Sequence, residues 1–139
     1  MVYNATKLIK KAFDSNDINC RIRETESTSA VEAGFSGENA PNFIVRFIST
    51  DDDNDVAIRI LSFVKVPEKK RAAVLDAINS LQRRFRYVNY TIDDDGDVNI
   101  GIDLPMRTQN VGDVCVEMFI RIVKIADDSY PVLMKAIWN

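Results

Sequence analysis

The run FRYVNYTIDDDGDVNIGIDLP, from Phe85 to Pro105, decides the fold. Apolar side chains fall at Val88, Tyr90 and Ile92, then at Val98, Ile100, Ile102 and Leu104, on either side of a group of aspartates and one glycine. Alternation with a period of two on both sides of a turn-forming cluster predicts an antiparallel hairpin with one buried face. Register identifies the turn. A two-residue Asp95-Gly96 turn would set Ile92 against Asn99 and mismatch the faces. A three-residue loop, Asp94-Asp95-Gly96, sets Ile92 against Val98, Tyr90 against Ile100 and Val88 against Ile102. It also puts Gly96 at the left-handed position of a bulge, where a residue without a Cβ meets no steric penalty.

Helices are expected on both sides of this hairpin. Val66-Pro67-Glu68 opens one, with proline in the first turn where its missing N–H is harmless, and Val74, Leu75, Ile78, Leu81 and Phe85 form its apolar stripe. The other runs from about Val111 to Asp127. Its polar residues Asp113, Glu117, Arg121 and Lys124 form one narrow strip, and apolar residues fill both flanks. A helix on one sheet needs a single stripe, so this one is predicted to be covered on more than one side. Ser129-Tyr130-Pro131 should kink or restart it, and the tail from Val132 to Trp138 should fold back as a short apolar helix.

Further toward the N-terminus, a helix is predicted from about Asn4, as N-cap, to about Phe13. Strand-like segments follow at Ile18–Glu24 and Ser29–Ser36, then two central strands rich in β-branched and aromatic residues at Phe43–Ile48 and Val56–Val64. If Phe47 pairs with Ile58, then Phe43, Val45, Phe47, Ile58 and Ile60 share a face. Short links between successive strands imply a mainly antiparallel sheet. The fold class is α+β, order α-β-β-β-(β)-α-β-β-α, with the helices on one face, and residues 1–139 are expected to form one domain. Asn89, Thr91, Asn99 and Asp103 should mark the wet face.

Composition narrows function mainly by exclusion. The net charge of −3 leaves no electrostatic footprint for general nucleic-acid binding. No apolar run approaches bilayer length and the first residues lack a signal-peptide core, which predicts a cytoplasmic protein that does not enter the membrane. Cys20 and Cys115 are expected to be buried free thiols. The chain contains no histidine, so Ser-His-Asp and Cys-His nucleophilic systems and imidazole zinc sites are ruled out. No phosphate-binding loop or dinucleotide fingerprint occurs. An enzyme is not expected, and neither is a cofactor.

The aspartate clusters at 51–55 and 93–97 resemble calcium loops only superficially. With Gly96 as the sixth residue of the template, Thr91 would stand first and Ile102 twelfth. The first cluster has no glycine and puts Ser62 twelfth. Both are expected to be turns, with no metal site. The one local conflict is that the Phe47–Ile58 register sets Arg46 opposite Arg59 on the second face, where like charges repel. Either acids of the same chain, Glu24 or Glu32, neutralise the pair, or an acidic group of a partner does so beside the apolar floor of Ile44, Ile48 and Leu61. A regulatory domain that senses a small acidic ligand through Arg46 and Arg59 is the alternative form of the second reading. On the last helix, the flanks carrying Val116, Ile120, Val123 and Ile125 are the expected homodimer interface.

The aromatic strand FRYVNYTI, the DDDGD turn, the strand VNIGIDLP and the long apolar helix that follows resemble the YbjN-like family, described as bacterial sensory transduction regulators with a fold like that of type III secretion chaperones. The specific part of the resemblance spans about Asn79 to Val123. It implies a helix, three strands, a helix, two strands and a helix, usually as a homodimer. It also implies a non-enzymatic module acting on an unidentified protein client by protein–protein contact. The additional strand-like segment and the acidic loop at Thr50–Asp55 depart from that pattern.

The turn assignment is testable by itself. Gly96→Val should destabilise the protein by roughly 1–3 kcal/mol, and Gly96→Asn by much less. Equal urea midpoints for the three proteins would show that the turn is assigned wrongly.

Overall fold

The computed structural model describes residues 1–51, 55–105 and 107–139. The elements are α1 (Asn4–Ser15), β1 (Arg21–Glu24), β2 (Ser29–Phe35), β3 (Phe43–Ser49), β4 (Val56–Lys65), a 3-10 turn (Glu68–Lys70), α2 (Arg71–Arg84), β5 (Asn89–Ile92), β6 (Asp97–Leu104) and α3 (Val111–Trp138). All six strands join one antiparallel sheet in the order β1-β2-β3-β4-β6-β5. The class is α+β in the expected element order, with the bracketed strand present.

The hairpin has the expected register. Ile92 faces Val98 and Tyr90 faces Ile100, and Gly96 adopts φ +83°. Asp93 shows why aspartates crowd this turn. Its carboxylate accepts the N–H groups of Asp95 and Asp97 at 2.9 and 3.0 Å and the side-chain amide of Asn99 at 2.9 Å. The N–H of Asp97 is the largest influence holding the Asp93 carboxyl below its ordinary range. The other aspartate cluster lies partly outside the described residues.

The core alternates as the strand pattern requires. Val31, Val45, Phe47, Ile58, Ile60, Val98 and Ile100 are almost wholly buried on the face that carries the helices. Phe13 of α1 meets Phe47 edge-on at 5.1 Å, and Phe119 of α3 lies 5.6 Å from Phe13. Because α1 packs on β1–β3 at one half of the sheet and α2 on β5 at the far edge, α3 runs between them and touches both. That arrangement accounts for its nearly all-round apolar character.

Local details differ from the sequence reading where tertiary contacts intervene. Asn4 is the first helical residue and not the cap; Tyr3 stands at the cap position, tied by its N–H to Ser29 Oγ at 3.0 Å. The first strand starts at Arg21, not Ile18, so Cys20 precedes it and is only half-buried, whereas Cys115 is fully buried; both thiols are free. Leu75 is 47% exposed because only the Val74, Ile78 and Leu81 side of α2 meets the core.

The largest correction concerns the tail. The chain neither restarts nor folds back at Pro131: α3 continues as one helix of 28 residues to Trp138. Proline inside a helix costs about 3 kcal/mol, but here it is exposed and flanked by strong anchors. Ser129 Oγ donates to Ile125 O at 2.6 Å and also meets the hydroxyl of Tyr90. Beyond the proline, Leu133 and Ile137 are buried. Two such side chains together offset a cost of that size, since each contributes about 1.5–3 kcal/mol on burial.

Asp127, within α3, ties the helix to the β2–β3 loop. Its carboxylate accepts backbone N–H groups from Ala40 and Asn39 at 2.9 Å each and from Glu38 at 3.2 Å. These donors, Ala40 first, hold its pKa below the ordinary 3.8. A carboxylate with a depressed folded-state pKa stabilises above the unfolded value, and the contribution disappears as pH falls below it. Asp127→Asn should therefore lower the urea midpoint at neutral pH, and the gap from the unmodified protein should narrow as pH drops from about 4 toward about 2. A gap that stays constant over that range would show that the charge is not what holds the loop.

Candidate functional site

The open face of the sheet is built from one row of residues that crosses every strand. Arg21, Glu32, Arg46, Arg59, Gly101 and Asn89 are successive partners in the ladder. Arg46 stands directly opposite Arg59, as the core register demands. Each finds its acid on the side away from the other. Arg46 Nε donates to Glu32 Oε2 at 2.7 Å, and Arg21 holds the other Glu32 oxygen at 3.0 Å. Arg59 reaches the opposite way to Asp103 Oδ1 at 2.7 Å.

The path of Arg59 depends on Gly101. A Cβ at that position would lie 2.8 Å from Arg59 Nη1, so only glycine leaves room for the guanidinium to lie flat across β6. From there Nη1 donates to the carbonyls of Ile58 and Ile102 at 2.9 and 3.1 Å. Glu32, 3% exposed, is the buried centre of the face. Burial alone would raise its pKa, but hydrogen bonds from Arg46 and Arg21 outweigh that and hold it below its ordinary value. Glu24, the other candidate acid, pairs instead with the amino group of Met1 at 2.8 Å.

The five residues of the expected partner surface occupy one face but do not converge on one point. Ile44, Arg46 and Leu61 line a shallow depression of about 230 Å³. Arg59 and Leu61 line a second, of about 260 Å³, with Asn99, Gly101 and Asp103. Leu61, 43% exposed, is the ridge between them, and Ile44 is 36% exposed. Ile48 is half-buried and lines neither. Alternation sets Leu61 on this face, and a bulge in β4 between Ile60 and Val64 turns Ser62 outward beside it; Ser62 takes φ +53° and is held by Asn99 and Asp97.

On α3, the four residues of the expected dimer flank separate. Val116 and Val123 are buried within the chain at 9% and 7% exposure, and Ile125 is half-buried. Ile120 alone stands out, at 60%. Beside it Arg121 stacks on the ring of Tyr87 at 4.9 Å.

Burial pushes the Cys115 thiol up to about 12, which removes it as a nucleophile at neutral pH. Among the described residues no cluster of three or more aspartate, glutamate or cysteine side chains is placed to hold a metal ion, and no helix is long and apolar enough to cross a membrane. One further surface escaped the sequence reading. Tyr130, Met134, Ile137 and Trp138 line a groove against the end of β4. Their spacing continues the apolar stripe of α3 in phase across Pro131, which was the signal available to find it.

By sequence, no known protein family matches the chain, and no curated protein does. By structure, it is similar to YbjN from E. coli, described as a candidate transcription regulator: TM-score 0.54 at 12% identity, over 94% of this chain and 89% of that one. It also matches the ExoU–SpcU heterodimeric complex from the type III secretion system of Pseudomonas aeruginosa, with TM-score 0.47 at 12% identity, over 96% of this chain and 97% of that one. The chain has the YbjN fold.

The two arginines should differ in their effect on stability. Arg46→Ala leaves a buried carboxylate with only Arg21 and should destabilise by about 1–3 kcal/mol. Arg59→Ala removes a half-exposed pair and should cost about 1 kcal/mol or less. Urea melts of the single variants check this, and equal losses would contradict the assignment of Glu32 as the buried centre.

Proposed function

We propose that this chain is a single non-enzymatic binding module, chaperone-like or regulatory, that works in the cytoplasm by protein–protein contact. The observation that carries the reading is the one-sided sheet. Three helices cover one face, while the other keeps Ile44 and Leu61 exposed between arginines whose charges are already neutralised. Aliphatic side chains beside paired arginines make an interface composition. The regulatory description of YbjN fits a module of this kind.

Arg46 and Arg59 are committed to Glu32 and Asp103, so a small acidic ligand would have to displace an existing partner at each. This favours the protein over the acidic metabolite. Self-association belongs to the proposal in reduced form, centred on Ile120 with the Tyr87–Arg121 stack beside it. The expected outcome is a dimer by sedimentation equilibrium at tens of micromolar that Ile120→Asp converts to a folded monomer. A monomeric unmodified protein would remove self-association and leave the open face as the sole contact.

For the open face, the unmodified protein and the Ile44→Glu, Leu61→Glu double variant should be isolated at native expression. The proposal expects a stoichiometric protein partner to be lost from the variant while its urea midpoint stays unchanged. Equal recovery of the same partner by both would refute contact through this face. So would a thermal shift with a small carboxylate that requires Arg46 and Arg59.

A further inference from the structure

The groove at the end of α3 has a chemistry distinct from the open face. It has a volume of about 720 Å³ and lies between the last turns of the helix and the end of β4. Its floor is aromatic and rigid. Phe63 is held edge-on between Phe43 at 5.4 Å and Tyr130 at 5.8 Å, so the surface exists before anything binds. Met134 and Ile137 extend that floor along the helix, and Trp138, 77% exposed, stands at its mouth. Methionine and aromatic side chains of this kind dominate contact surfaces that receive apolar anchors.

The rim supplies the sign. Lys65, Lys69 and Lys70 line the groove, and among the described residues no acidic side chain does, in a chain whose net charge is −3. Lys70 donates to Asn139 O at 2.9 Å, and Lys65 donates to the carbonyl of Asp95 and lies 3.7 Å from Asp97. Lys69 is exposed and makes no hydrogen bond or ion pair among the described residues. A small amphiphile would be enclosed on most sides in a site built for it. This groove instead lies open along Lys65, Pro67, Lys69 and Trp138, all of them exposed.

We propose that the groove between Phe63 of β4 and Tyr130–Trp138 of α3 binds an acidic amphipathic helical segment of a partner protein, with its apolar anchors on the aromatic floor and its carboxylates at the lysine rim. It is a second contact surface, separate from the open sheet face, and it stands if that face proves to bind nothing. A helix laid in a groove presents apolar anchors at i, i+3, i+4 and i+7 along one side. Acidic residues on either side of such a stripe fall within reach of the lysines.

Trp138 is the only tryptophan of the chain, so its fluorescence reports on the groove directly. The probe is a synthetic amphipathic helix of about 15 residues, leucine and phenylalanine on one face and glutamate on the other. Its controls are the same peptide with lysine for glutamate, and laurate. The expected result is a saturable blue shift with the acidic peptide that weakens as salt rises from about 50 to about 200 mM. The lysine peptide should produce none. Lys69→Glu should bind the acidic peptide about tenfold more weakly, with an unchanged urea midpoint, and Lys65→Gln added to it should weaken binding further. Equal binding of the two peptides, or indifference to the lysine changes, would overturn the charge assignment. A shift with laurate alone would assign the groove to small amphiphiles. A shift that grows with protein concentration in the absence of peptide would assign it to a second copy. Either result would overturn the proposal.

Discussion

The packing of Phe47 against Ile58 across the two central strands constrains what surrounds it. Both side chains are fully buried, and a slip of one residue would send arginine into the core. The register that avoids this places Arg46 opposite Arg59 on the other face. The same core logic fixes β2 and β6, because Val31 must face Phe47 and Ile102 must face Ile58. Those two registers deliver Glu32 beside Arg46 and Gly101 beside Arg59. The repulsion and its remedy therefore have a single origin. No additional design is needed to explain why each arginine turns outward from the shared pair.

The energetics of that row bear on function. A buried ion pair is weak evidence for stability, since taking both charges out of water offsets most of their attraction. Its strength lies in the asymmetry: removal of one member leaves the other stranded. Glu32 between two arginines is such a member, and Arg46 is consequently a structural residue of the sheet. The polar atoms of the open face are largely spoken for by the fold. What remains available to a partner is the aliphatic ridge at Leu61 and Ile44, which strand alternation places on this face. The separation of charged and apolar roles on one face follows from the ladder register alone.

Much of this was legible in the sequence where a period and a turn agree. The DDDGD loop, the pairing of Tyr90 with Ile100 and the opposition of Arg46 and Arg59 all follow from alternation and register. Glu32 was visible as one of two candidate acids, because a neighbouring strand must present something at that position. Asp103, the acid that pairs with Arg59, was visible only as a polar residue of the wet face, since nothing local announces that Arg59 will cross Gly101. The tail misled for a related reason. Proline is read as a break, and the contacts that overrule it, Tyr90 with Ser129 and Phe63 with Tyr130, join segments distant in sequence. Asp127 gave no signal beyond a charge on an apolar helix, although it holds three backbone donors of a loop far upstream.

The continuity of α3 through Pro131 moves the apolar surface that a partner could cover. With a break at Pro131, the tail is a cover that competes for a flank of its own helix, and the uncovered flank calls for a second copy. With the helix continuous, α1, α2 and the sheet cover both flanks except at Ile120, so the need for a partner narrows to that residue along its first half. It reappears beyond the proline. There Leu133 and Ile137 are buried, but Tyr130 and Met134 are half-buried and Trp138 is exposed along a groove beside the end of β4, with lysines on the far bank. Apolar surface left over on a soluble protein marks contact in proportion to its continuity. Ile120 is a single residue beside one stacked ring, whereas the stripe from Tyr130 to Trp138 is continuous and pre-formed. The same count of apolar side chains that first argued for a dimer thus argues more strongly for an occupant at the other end of the helix.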